Sequence, residues 1–243
     1  MQKVRLLGIC GSPRKTGNSR YLLECAVAGA KAAAPESVQS EIYSFAGKKI
    51  GPCVSCYRCA KIGDCATRDD FQELRDKWVA ADAIIYSVPV YHIGIPGQLK
   101  CFIDRLGRTL YIRYGDLAHK NLKTVGIVVQ GGDIFAGQEQ VMYTLINHAL
   151  LMKCVPVGAD TSPYLGAAGW TRDDSGKDSL RRLHDEGEPD AQIAVAAAES
   201  LGKRIAQMTL LTKSGGLVCR EMLVKDGTYG PFLSRLAPGE EVG

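Results

Sequence analysis

The apolar positions fall into short runs that alternate in period. Val4 to Ile9 is apolar at almost every position and runs into Gly11-Ser12-Pro13, the pattern of a strand buried on both faces and ended by a turn. Asn18 to Ala34 repeats its apolar positions at helical spacing, with Asn18 as a candidate N-cap and Pro35 as a stop. Val38 to Phe45 alternates as a second strand, and Ala83 to Val88, Thr124 to Val129 and Cys154 to Gly158 read as three more. Between them, helices are predicted from Asp69-Asp70, where acids favour an N-terminus, to Ala81, from Pro96 to Leu110 and from Gly137 to Met152. A last amphipathic helix spans Ala191 to Met208. Such alternation predicts βαβ units, hence an α/β fold with a doubly wound, five-stranded parallel sheet covered on both faces. Thr161 to Pro189, rich in Gly, Asp and Arg, reads as a long surface excursion. Past Met208, Gly215-Gly216, Gly227, Gly230 and Pro238 predict an irregular extension over residues 209–243, appended to a domain of residues 1–208.

Composition narrows the class. The 243 residues are 46% hydrophobic and 23% charged, which excludes disordered, collagenous and coiled-coil chains. A net charge of +4, from 30 basic and 26 acidic residues, gives no ground for nucleic-acid binding. No apolar run approaches the roughly 18 residues of a membrane helix. Lys3 and Arg5 break the first apolar stretch, unlike a secretory signal, so a soluble, cytoplasmic protein is expected. Nine cysteines, an odd number in a reducing compartment, point to free thiols. Cys10, Cys25, Cys101, Cys154 and Cys219 are scattered and read as small buried hydrophobes, whereas Cys53, Cys56, Cys59 and Cys65 crowd into one segment, residues 51–68.

In a doubly wound sheet, ligands bind beyond the carboxyl ends of the strands at the switch point, so the loops after strands one, three and four carry the interest. The first reads Gly11-Ser12-Pro13-Arg14-Lys15-Thr16-Gly17-Asn18-Ser19 and leads into a helix N-terminus, whose free N–H groups and dipole favour an anion. Ser12, Thr16, Asn18 and Ser19 add short donors, and Arg14 a planar fork suited to phosphate. Two rival phosphate loops fail on spacing. Gly8, Gly11 and Gly17 do not make G-x-G-x-x-G, and Thr16 stands where G-x-x-x-x-G-K-[ST] needs its second glycine. A hydroxyl-rich loop for a phosphate monoester, as on FMN, remains, beside the plainer reading of an ordinary capped turn. After strand three, Pro89, Val90, Tyr91, His92 and Ile93 could flank a flat ring. After strand four, Gly131 and Gly132, with Gly137 at the next helix start, let backbone N–H groups come close to it.

These segments resemble a known family. Gly11-Ser12-Pro13-Arg14 with Gly17-Asn18-Ser19, then Asp69-Asp70, Ser87-Val88-Pro89-Val90-Tyr91, Leu99-Lys100 with Phe102-Ile103-Asp104-Arg105, and Gly137-Gln138-Glu139 resemble the NAD(P)H-dependent FMN reductases, in order, over about residues 3 to 208. The resemblance implies a flavodoxin-like fold, FMN with its phosphate on the first loop and its ring on the other two, NAD(P)H as possible donor, and a homodimer or homotetramer. In such an assembly Leu210, Leu211, Leu217, Val218, Met222 and Phe232 of the extension would find cover.

Cys53, Cys56, Cys59 and Cys65 are spaced C-x2-C-x2-C-x5-C. Ferredoxins use the same triple spacing around a cluster. Structural zinc more often uses two separated C-x-x-C pairs, and unmetallated thiols are the third reading. The spacing is similar to that of the iron-sulfur flavoproteins, a branch of the same superfamily, and that similarity implies that the four cysteines hold a [4Fe–4S] cluster. The expected function is an FMN-dependent oxidoreductase passing electrons between flavin and cluster to a small-molecule or ferredoxin-type partner. A cluster-free NAD(P)H:FMN or quinone reductase and a non-enzymatic flavodoxin-like carrier are the alternatives. Flavin chemistry passes through N5 and needs no protein acid or base, so no catalytic residue is named.

Overall fold

A computed structural model describes residues 2–114, 119–160 and 164–236. Thr161, where the expected surface excursion begins, and Pro238, within the expected extension, lie outside the described residues. Five strands, β1 (Val4–Cys10), β2 (Val38–Ser44), β3 (Ala83–Pro89), β4 (Thr124–Gly131) and β5 (Val155–Pro156), form a parallel sheet in the order β2-β1-β3-β4-β5. The sequence order reverses between β1 and β3, which places the switch point there.

Side chains alternate across the sheet as a period of two requires. Leu6 and Ile85 face one core, under α1 (Asn18–Ala33), while Leu7 and Ile84 face the other, under α3 (Phe71–Ala80), α4 (Gly97–Tyr114) and α5 (Gln138–Leu151). The short α2 (Arg58–Ile62) lies within the cysteine segment. No helix among the described residues is long and apolar enough to cross a membrane.

Not every expectation survives in the fold. The fifth strand arrives in two pieces: β5 pairs with Thr124 and Val125, and β6 (Ala167–Trp170) then pairs with Val128 to Gly131. Pro156, without an N–H, cannot continue the ladder as a donor. The expected surface excursion therefore contains a sheet strand, and also α6 (Ser179–Asp185).

The last helix does not end at Met208. It is α7 (Pro189–Val218), 30 residues long. Its upper half lies against α1 so closely that a Cβ at Gly202 would strike the carbonyl of Ala26. Its lower half is anchored by Lys213, which is buried and whose Nζ reaches Asp82 Oδ2 at 2.9 Å and the carbonyl of Lys3 at 2.8 Å. That buried ion pair holds the helix just before Gly215-Gly216, and Gly216 packs closely on Phe232.

The extension is helical rather than irregular: α8 (Arg220–Val224), a 3₁₀ turn at Gly227–Tyr229 and α9 (Gly230–Leu233) close a small core of Leu223, Phe232 and Leu236. Phe232 is thus covered within the chain, and Leu210 and Leu217 are partly covered. Leu211, Val218 and Met222 are exposed. Cys219 is exposed as well, unlike the buried Cys10 and Cys154, because it falls at the α7–α8 junction.

Candidate functional site

The first loop leaves β1 pinned to the switch point: Gly11 N donates to the carbonyl of Ser87 at 2.9 Å, and Ser87 Oγ donates to the carbonyl of Ser19 at 2.7 Å. Ser12 is buried and accepts from the N–H of Arg14 at 3.2 Å, tightening the turn. Asn18 is the first helical residue, and Gly17 takes the N-cap position. The Asn18 side chain is used elsewhere, accepting the N–H of Leu180 at 3.0 Å and so tying α1 to the start of α6. No side chain caps α1, and no acid stands in its first turn. Its leading N–H groups and dipole are therefore open to an anion. Arg14 and Thr16 are exposed at the loop's rim, and among the described residues the Arg14 side chain makes one hydrogen bond, to the carbonyl of Ser175, long at 3.5 Å.

The second loop is tied to β4 where Val90 N donates to the carbonyl of Gln130 at 2.8 Å. Beyond Pro89 and Val90 it closes into a two-residue turn: Tyr91 and Gly94 exchange both backbone hydrogen bonds at 2.9 Å. His92 and Ile93 between them have φ of 46° and 64°, as a type I′ turn demands. For a β-branched residue such as Ile93 this is a strained backbone.

The third loop meets the second directly. Gly137, at φ 104°, leaves no room for a Cβ against Ile93. Gly132 receives the N–H groups of Thr171 at 3.2 Å and Asp173 at 2.8 Å, and Gly131 packs on Gln138. The three loops thus converge on one end of the sheet. Tyr91, His92, Ile93 and Phe135 stand exposed on the second and third of them.

The cysteine segment follows β2 at the same end of the sheet. Ser55 and Tyr57 hold left-handed backbone around Cys56, and Cys59 is buried at the start of α2. Cys53, Cys56, Cys59 and Cys65 all line one small hollow against α4. Among the described residues no group of three or more His, Cys, Asp or Glu side chains is gathered in a form that could hold a metal ion. The hollow nonetheless has the character of a site for an anion. Arg105 Nε lies 3.3 Å from Cys65 Sγ, and Arg108 lines the hollow with its Nε buried and without a hydrogen-bond partner among the described residues. Four cysteine sulfurs beside two guanidinium groups fit an anionic metal–sulfur centre.

Sequence reasoning missed the residue that holds this segment. Arg105, with a fully buried side chain, donates to the carbonyls of Gly51 (3.2 Å) and Thr67 (2.8 Å), so one guanidinium binds both ends of the loop. Asp69 answers it at 2.6 Å and also accepts the N–H of Gly51 at 3.0 Å and of Phe71 at 2.9 Å. Burial alone would raise the Asp69 carboxyl, but Arg105 and the two backbone donors outweigh it and hold it below the usual carboxylate range. Asp70, in the N-cap position of α3, spends its carboxylate on Lys49 N and Lys48 Nζ. Both Asp69 and Arg105 stand in segments that carry the family resemblance. Their pairing, 36 residues apart, has no signature in a single sequence.

Comparison with known proteins gives the family and the fold. The family model described as NADPH-dependent FMN reductase matches residues 4–163. An iron-sulfur flavoprotein of Methanocaldococcus jannaschii is 32% identical over 211 residues, covering 86% of this chain and 100% of that one. One of Archaeoglobus fulgidus is 31% identical over 214 residues, covering 87% and 98%. Among solved structures, RosB with a bound 8-demethyl-8-formylriboflavin-5′-phosphate shares the fold at a TM-score of 0.63 and 14% identity, covering 90% of this chain and 87% of that one. The fold, the matched family model and these full-length relatives agree, and the chain belongs to the NADPH-dependent FMN reductase family, in its iron-sulfur flavoprotein branch, as an FMN-dependent oxidoreductase.

Proposed function

We propose that the protein carries FMN on the three converging loops and a [4Fe–4S] cluster on Cys53, Cys56, Cys59 and Cys65, and moves electrons between them. The observation that carries the cluster is the shared hollow: four cysteines and two guanidinium groups, one with an unpartnered buried Nε–H. Bound FMN supplies two-electron hydride chemistry at N5 with release of single electrons, which a cluster can take one at a time. The chain's own part is binding and positioning. The α1 N-terminus, Ser12, Arg14, Thr16 and Ser19 hold the phosphate, and Asn18, whose side chain is engaged with Leu180, offers its backbone N–H. Pro89, Val90, Tyr91, His92 and Ile93 wall one side of the ring, and Gly131, Gly132 and Gly137 bring backbone to the other.

A cluster-free NAD(P)H:FMN or quinone reductase is the second reading, favoured by the thiols not being gathered around a common point. A loop with little regular structure that tightens on its metal reconciles that geometry with the first. Anaerobic purification decides between them. The first reading expects FMN after heat release, near four iron and four sulfide per chain, and a Cys59→Ala variant that loses iron, keeps FMN and is still reduced by NAD(P)H. Equal ferredoxin-linked rates in wild type and Cys59→Ala at matched FMN occupancy would leave the simple reductase.

A further inference from the structure

Arg105 and Arg108 lie one turn apart on α4, and both line the cysteine hollow. We propose that they are the positioning pair of the proposed cluster, Arg105 fixing the loop and one ligand sulfur, Arg108 supplying a second donor that sets how readily the centre accepts an electron. This rests on the cluster reading above.

Arg105 does three things with one side chain. It joins the loop's two ends through the carbonyls of Gly51 and Thr67, fixes its own orientation on Asp69, and presents Nε–H to Cys65 Sγ at 3.3 Å. The side chain is fully buried and stacks over the Phe71 ring at 4.3 Å, so its fork cannot turn away. Cys65 is therefore singled out among the four: it is the one whose sulfur meets a charged donor in the fold itself. Hydrogen bonds to ligand sulfur withdraw electron density and favour the reduced form of a cluster.

Arg108 differs in having nothing to hold together. Its guanidinium lies over the Tyr57 ring at 4.3 Å, next to Cys56, while its Nε is buried and unpartnered. A buried donor left open is costly unless an acceptor arrives. The nearest group of the right charge is whatever the four thiolates hold. Lysine would not replace either arginine, since neither the stacked plane nor the fixed Nε–H survives the exchange.

The two roles separate in experiment. Arg105→Gln is expected to lose most of its iron and to exchange backbone amides of residues 51–68 at least tenfold faster, with FMN occupancy and far-ultraviolet circular dichroism unchanged. Arg108→Gln and Arg108→Lys are expected to keep iron, with a cluster midpoint, read by dye-mediated titration and electron paramagnetic resonance, shifted to more negative potential. If Arg105→Gln keeps both its iron and its loop protection, the clasp is refuted. If the Arg108→Gln midpoint equals that of wild type, the tuning role is refuted. Wild-type protein without iron after anaerobic reconstitution would remove the cluster and the tuning role together. The exchange rates of residues 51–68 in wild type and Arg105→Gln would still decide the clasp in that case.

Discussion

At Arg14 the guanidinium is held, among the described residues, by a single long bond to the Ser175 carbonyl. Removing it from the free protein therefore costs little, and its value lies in the phosphate it would meet. Arg14→Ala is expected to weaken FMN binding by about 1.5–3 kcal/mol, the worth of a charged hydrogen bond, with the melting temperature of the flavin-free protein unchanged. Flavin fluorescence titration reads this directly, and affinity within twofold of wild type would place Arg14 outside the phosphate site. His148 shows a residue whose role the sequence did not disclose. It is buried on the inner face of α5, with Nε2 at 3.3 Å from Tyr86 Oη, which in turn takes the Trp78 Nε1–H at 3.0 Å. Burial pushes the imidazole down to about 4. An unfolded histidine takes its proton near 6.5, so between pH 6.5 and 4 the unfolded chain binds the extra proton. Stability from this group is thus complete above pH 6.5 and falls as pH drops toward 4, by about 3 kcal/mol at most. Urea unfolding at pH 7, 6 and 5 should show that slope, and His148→Gln, which keeps an acceptor for Tyr86, should flatten it. A slope unchanged in the variant would assign the acid loss to other groups.

The elements were legible where a hydrophobic period runs long enough to be counted. β1 to β4, α1 and α3 to α5 fall within a few residues of the sequence reading, because each buries one stripe or one whole run against the sheet. The split fifth strand was not legible: a strand of two residues and another of four are too short to show a period. The course of α7 past Met208 was hidden for another reason. Gly215-Gly216 reads locally as a break, and the contacts that hold it in the helix are remote in sequence: Lys213 with Asp82, 131 residues away, and Gly216 packed on Phe232. At the site, the loops were legible from their glycines and hydroxyls, but the type I′ turn was not, since His92-Ile93 lacks the Asn-Gly signature of such turns. That mismatch is testable. Ile93 is 62% exposed yet held at φ 64°. Ile93→Gly should therefore relieve strain and stabilise the flavin-free protein by about 1 kcal/mol, seen as a raised melting temperature. It should also slacken the wall offered to the ring and weaken FMN binding. A lowered melting temperature would mean that the contact of Ile93 with Gly137 outweighs the strain.

On the scale of the whole molecule, the two ends of the sheet are divided between tasks. The carboxyl end carries the three loops and the cysteine segment. The amino end is closed by the extension, where Lys213 and Arg235 converge on Asp82. The extension buries Phe232 but leaves an apolar set in the open: Leu211 is 65% exposed, Val218 87%, Met222 63% and Val224 59%. Four side chains cover only part of the roughly 800 Å² per partner that a specific dimer buries, so an interface built here must continue onto neighbouring surface. We expect the protein to be a homo-oligomer joined through this end, which leaves the loops free for FMN and its redox partners. Light scattering at micromolar concentration should give at least twice the 26.2 kDa chain mass. Val218→Asp with Met222→Asp should lower that mass while leaving FMN content unchanged, because neither residue nears the loops and both already face solvent. A monomer in the wild type would refute the assembly. An oligomer that survives the double variant would move its interface to another face, with the exposed Tyr91, Ile93 and Phe135 at the carboxyl end the next to be substituted.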